Sequence, residues 1–219
     1  MPRAPIVVLV LAALAGSACV PVVTHGPRVA PGLTVGAVGA LSTRPVLERE
    51  VPTGQGHVTE VLAPLSVFAR YGWTPESGGG GIPLSVGVSV PAALQFGLVH
   101  PELDVYAQLT PVEQRRVAAG AGALVSPSYV TPYAQAGYGW DDGVSVFTTQ
   151  SVAFFRGDEE GRRPDAKIWM PSVAVKGFGV HLFAQAGLGR ERITATSTRA
   201  VRFVMAGVVV EFRDRFGRY

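Results

Sequence analysis

The chain has 219 residues, a formal net charge of +3, 47% hydrophobic residues, only 16% charged residues and 27 glycines. That charged fraction falls well below the roughly 25% of an ordinary soluble domain, and with no apolar run of about 18 residues a helical membrane span is excluded. The basic residues Arg44, Arg115, Arg116, Arg162, Arg163, Arg190 and Arg213 are far apart in sequence, whereas nucleic-acid binding calls for a clustered stripe. Arginine-rich loops of this kind suit anionic lipid headgroups instead.

Residues 1–18 read as a secretory signal peptide. Arg3 supplies positive charge, Ile6–Ala15 is a short apolar core, and Gly16-Ser17-Ala18 offers small residues for cleavage. Cys19 is the only cysteine, so no internal disulfide forms. The run Gly16-Ser17-Ala18-Cys19 resembles a bacterial lipobox, with Gly16 where that family usually has Leu. The resemblance implies lipidation at Cys19 and, with Val20 rather than Asp after it, outer-membrane sorting; the alternative is ordinary cleavage after Ala18. Residues 19–32 hold Pro21, Pro27 and Pro31 without periodicity and predict an extended tether, with His25 a loop residue.

From residue 33 to 219 the chain reads as one β domain. Leu33, Val35, Ala37, Gly39 and Leu41 form one face of a first strand, and the proline-containing stretch 43–57 forms a loop. Val61, Ala63, Leu65, Val67 and Ala69 then alternate, and Tyr71 and Trp73 close the same face. Glu60, Ser66 and Arg70 lie opposite. Small aliphatics ending in Tyr and Trp suit a lipid-facing band with an interfacial aromatic girdle. The run 76–81 is a glycine-rich turn without the Lys-Ser/Thr of a phosphate-binding loop. Ile82, Leu84, Val86, Val88 and Val90 alternate strictly with Pro83, Ser85, Gly87 and Ser89. Pro91 marks an irregularity. Leu94, Phe96 and Leu98 lead to a turn at His100-Pro101-Glu102, and a short strand covers 104–109. Thr110-Pro111-Val112-Glu113 has the form of a helix start, predicting a short helix near 111–119 stopped by Gly120, or else a strand end. Trp140-Asp141-Asp142-Gly143 is a hairpin turn rather than a calcium loop, because no further acidic ligands follow at the right spacing. Strands cover 144–155, 169–180 and 182–189, separated by polar loops at 157–167 and 190–199, and the last strand covers 201–212.

An internal repeat organises this pattern. Val130–Gly139 and Val180–Gly189 are identical at six of ten positions, and Tyr133 and Phe183 are aromatic in both. Val105-Tyr106-Ala107-Gln108 is a shorter echo. In an extended chain Leu182, Ala184, Ala186 and Leu188 share one face, and Phe183, Gln185, Gly187 and Gly189 share the other. Neither face carries charge, which suits a barrel wall with lipid on one side.

Met205-Ala206-Gly207-Val208-Val209-Val210-Glu211-Phe212 resembles the C-terminal insertion signal of bacterial outer-membrane barrels, matching at Gly207, Val210 and Phe212 and departing at Met205, where that signal is polar. With the export signal and the alternating strands, residues 33–212 resemble the small Gram-negative outer-membrane β-barrels. The resemblance implies an all-β, antiparallel up-and-down barrel of about eight to ten strands, placed in outer-membrane lipid by the barrel-assembly machinery.

No His-Glu-x-x-His, Gly-x-Ser-x-Gly or cysteine pair is present, and the four histidines are scattered. The expectation is therefore a protein without catalytic, cofactor or metal residues. Two functions fit: a membrane-embedded barrel of structural, surface or narrow-pore type, or a periplasmic lipoprotein whose lipocalin-like barrel holds an apolar ligand. They differ in whether the Leu182/Ala184/Ala186/Leu188 face points outward or lines a pocket.

Overall fold

The computed structural model describes residues 23–45, 59–62, 64–75, 81–93, 98–99, 101–111, 113, 116–127, 129–139, 143–155, 165–192 and 198–213. They form one antiparallel sheet of β1 (Gly32–Pro45), β2 (Thr59–Leu62), β3 (Pro64–Trp73), β4 (Leu84–Ala93), β5 (Leu98–Val99), β6 (Glu102–Gln108), β7 (Val117–Val125), β8 (Tyr129–Gly139), β9 (Gly143–Phe155), β10 (Asp165–Gly177), β11 (Val180–Arg192) and β12 (Thr198–Arg213). β2 and β5 are short pieces on β1 and β4, so ten strands make the wall. Sequence neighbours pair all the way round, and β12 returns to pair with β1 from Thr34↔Arg213 to Ser42↔Met205. The ring is closed, and the long strands leave no free edge.

The period-two pattern separates two faces, and the structure turns the apolar one outward. Leu182, Ala184 and Leu188 are exposed, while Phe183, Gln185 and Gly187 are buried. The same alternation puts Leu65, Val67, Ala69, Tyr71 and Trp73 outside and Ser66, Phe68, Arg70 and Gly72 inside. On β4, Leu84, Val86 and Val88 point out at 40%, 42% and 50% exposure. On β12, Val204, Ala206, Val208 and Phe212 are exposed and Phe203, Met205 and Val209 are buried. The outer surface is thus Val, Leu and Ala, with Tyr71, Trp73, Tyr138 and Phe212 where their strands approach one end of the barrel. Phe154 and Trp169 lie toward the other end.

Three features differ from the sequence reading. Val117–Ala119 belong to β7, so the strand-end alternative holds in place of a helix near 111–119. Their backbone is taken up by the β8 ladder. The amide of Leu109 donates to the Ala119 carbonyl at 2.8 Å, and the amide of Ala119 donates to the Thr110 hydroxyl, which thereby serves the strand rather than a helix. Next, β10 begins at Asp165 and β11 runs to Arg192, inside stretches expected as loops. Their charges are accommodated because they pair across the ladder: Asp165 lies opposite Arg192, with Arg192 Nε 3.0 Å from Asp165 Oδ1. Lastly, β10 and β11 are joined by two residues, Phe178 and Gly179, with φ of 52° and 79°. Positive φ at both positions matches the twist of a two-residue hairpin.

Candidate functional site

The interior is not empty. Residues 23–31, expected as a tether, lie against the inner wall, and Val23 is 1% exposed. The segment enters at the end where Gly32 begins β1 and where β6 and β8 finish. It runs parallel to β6 with a constant offset. The Pro27 carbonyl accepts from the Tyr106 hydroxyl, and the Val29 amide donates to Gln108 Oε1 at 3.0 Å, both contacts separated by 79 positions. His25 Nε2 lies 3.0 Å from Asp104 Oδ2.

β8 and β11 hold the same segment. Gln135 Nε2 donates to the His25 carbonyl at 2.7 Å, and Gln185 Nε2 donates to the Val23 carbonyl at 3.3 Å. Arg28 reaches the Gly139 carbonyl at 3.3 Å. Gln108, Gln135 and Gln185 are therefore the glutamines of the three repeat copies, and each bonds the backbone of residues 23–29. The repeat was legible in the sequence; its role was not, because nothing local links it to residues 23–31.

Between β6 and β8, strand β7 presents Gly120 and Gly122. Gly122 pairs with Tyr106 on one side and Tyr133 on the other, and Gly120 pairs with Gln108 and Gln135. A Cβ on Gly122 would stand 2.6 Å from Tyr133 Cζ. With no side chain there, the two tyrosine rings stack across the gap, 6.0 Å between centroids and 7° between planes. Large rings over a cross-strand glycine are a recognised way to fill a barrel interior. The His25 ring meets both rings edge-on, at 5.1 and 5.8 Å.

Asp104 is the charged centre of this group. Tyr133 donates to its Oδ1 at 2.7 Å, His25 Nε2 is beside its Oδ2, and Arg70 Nε is 3.9 Å away. A buried carboxylate is costly unless paired and hydrogen-bonded, and Asp104 has both. A second charged group lies near the termini end, where Glu211 Oε2 is 3.3 Å from Lys176 Nζ and 3.1 Å from His181 Nε2. The His181 contact has the distance of an ion pair without the alignment of a hydrogen bond. A cavity of about 200 Å³ remains between the two groups, bordered by Arg70, Phe147, Lys176, His181, Phe183 and Glu211. Gly207, Val210 and Phe212 all lie on β12, with Val210 paired to Ala37 and Phe212 to Val35. Cys19 lies outside the described residues. Among the described residues, no group of three or more His, Cys, Asp or Glu side chains could hold a metal ion.

No family model matches the chain, and no curated protein matches it. Solved structures resemble it at low identity. A KdgM porin aligns with a TM-score of 0.42 and 10% identity, over 82% of this chain and 99% of its own. A NanC porin aligns with a TM-score of 0.41 and 9% identity, over 80% and 98%. Ail, the attachment invasion locus protein of Yersinia pestis, aligns with a TM-score of 0.33 and 11% identity, over 84% and 100%.

Proposed function

We propose that this chain is an outer-membrane β-barrel protein of structural, surface or narrow-pore type that carries out no catalysis. The observation that carries the reading is the outward apolar face on a closed ring. Val204–Phe212, at about 3.3 Å per residue and a tilt of about 40°, spans roughly 20 Å, close to the ~25 Å apolar band of membrane barrels. Soluble monomers rarely expose contiguous apolar surface beyond a few hundred Å², and this surface encircles the barrel. Ring closure between β12 and β1 meets the other demand of lipid, that every backbone amide be paired. The lipocalin-like alternative needs open apolar space inside. The interior here holds residues 23–31, and its apolar patch around Ile168 and Met170 is fully buried. His25 bonds Gly26 and Tyr133 and faces Asp104, so it activates no Ser or Cys nucleophile through these contacts.

The partners in this reading are outer-membrane lipid and the barrel-assembly machinery, which would read Gly207, Val210 and Phe212; lipid on Cys19 would be a second anchor. One experiment tests it: the amount of heat-modifiable protein in the carbonate-washed outer-membrane pellet. Val86→Arg should lower insertion by about 2–4 kcal/mol, and Ser85→Asn, on the inner face, should lower it far less. Phe212→Ser should reduce the outer-membrane amount sharply, although Phe212 is 69% exposed and packs against little of the protein. Equal tolerance at 85 and 86 sinks the membrane reading; full insertion of Phe212→Ser sinks the insertion signal.

A further inference from the structure

We infer that the inner wall of β6, β8 and β11 is a binding site for a peptide backbone, that residues 23–31 are its resident occupant, and that the pore is closed while they are in place. The peptide-site half rests on geometry alone; the closed-pore half rests on the membrane reading above.

Three observations carry the inference. The wall recognises backbone. Gln108 and Tyr106 bond the amide of Val29 and the carbonyl of Pro27, Gln135 bonds the carbonyl of His25, and Gln185 bonds the carbonyl of Val23. These groups bond every second residue of a segment that keeps a constant offset to β6 while bending at His25 and Pro27, so the contacts follow the backbone rather than any side-chain pattern. The residues doing so come from the repeated Tyr/Phe-Ala-Gln unit, so the chain devotes three strands to one backbone, with Gln108 accepting from an amide and Gln135 and Gln185 donating to carbonyls. Finally, the occupant is held by side-chain anchors, among them the His25–Asp104–Tyr133 group, Arg28 on the Gly139 carbonyl, and Val23 and Val29, which pack with Tyr106, Leu124 and Tyr133. Among the described residues, the backbone of 23–31 takes no part in any strand ladder. A segment fixed by side chains can leave without breaking the wall.

Hydrogen exchange on the folded full-length protein tests the peptide site, in micelles or in buffer. Two variants are compared with the wild type. One is Gln108→Leu/Gln135→Leu/Gln185→Leu, which keeps volume and removes the three glutamine contacts while leaving that of Tyr106. The other is Val23→Asp, which leaves every wall residue intact and so is insulated from failure of the barrel to fold. In the wild type the Val29 amide, which donates to Gln108, should be protected; in both variants its exchange should rise at least about tenfold while β9–β12 are unchanged. Wild-type exchange of the Val29 amide at loop rates, or no change in either variant, overturns the site. Conductance across planar phosphatidylcholine bilayers tests the closure. The inserted wild type should show rare openings and Val23→Asp frequent ones. Equal conductance overturns the closed pore. A wild type that does not insert overturns the membrane reading together with the closed-pore half, and exchange alone then decides the peptide site.

Discussion

The two long copies of the repeat face the same lumen but sit in different chemical surroundings. Around β8 the inner wall is polar and aromatic: Tyr106, Gln108, Tyr133 and Gln135 line up across the glycines of β7 and surround Asp104. Around β11 it is apolar past the charged group at His181: Phe183 belongs to a cluster with Ile168, Met170, Val201, Phe203, Met205 and Val209. The copies differ at two inward positions, threonine at 131 against histidine at 181, which faces Glu211, and tyrosine at 133 against phenylalanine at 183. At the second, the hydroxyl makes the difference. Tyr133 donates to Asp104 and meets His25, so β8 builds a charged anchor, whereas Phe183 offers nothing for a charge to bond. The repeated spacing therefore supplies the same backbone contact from Gln135 and Gln185, and the hydroxyl at 133 supplies the donor that Asp104 needs.

The largest expected effect comes from forcing the apolar wall to behave like the polar one. Ile168→Asp puts at a fully buried position a carboxylate without the partners that Asp104 has. An uncompensated buried charge costs about 3–5 kcal/mol, so the variant should lose most of its heat-modifiable form. Retention of a wild-type urea midpoint would show that the apolar cluster is wetter than its burial implies.

Exchanging the aromatic pair sharpens the comparison. Tyr133→Phe removes the donor to Asp104 and should cost about 1–3 kcal/mol, the cost of leaving a buried acceptor short of a partner. Phe183→Tyr should cost less than about 1 kcal/mol, because that ring borders the remaining cavity and its new hydroxyl has room. Urea midpoints of the gel-shifted band compare them; equal shifts would mean that the hydroxyl at 133 is not what separates the walls.

The smallest effect separates bonded from unbonded hydroxyls where β8 meets β9. The Thr149 hydroxyl accepts from Gln135 Nε2 at 3.0 Å, whereas the equally buried Thr131 hydroxyl has no partner. Thr149→Val should cost about 1 kcal/mol and Thr131→Val should be neutral or mildly stabilising. A loss at Thr131 as large as at Thr149 would point to a bridging water there.

The architecture was legible because a barrel wall is written locally. Each strand must alternate to face two environments, so Leu84–Val88, Leu182–Leu188 and Val204–Phe212 declare their apolar face from period two alone, whereas its outward direction came from the structure. The segment 111–119 misled because Thr110 and Pro111 satisfy a local helix rule, and the pairing that overrides it comes from β8.

What the sequence determined by itself was the wall: which segments are strands, which face is apolar, and that the last strand has a partner. What only the tertiary structure decided was the content of the lumen. Residues 23–31 have no periodicity of their own, and their partners lie between 79 and 162 positions away at Gln108, Gln135 and Gln185. Hydrogen bonds from side chains to a distant backbone leave no trace in local pattern, because any residue presents the same amide and carbonyl. The repeated glutamines were visible as a repeat, but their meaning appears only when the closed ring brings three strands around one peptide.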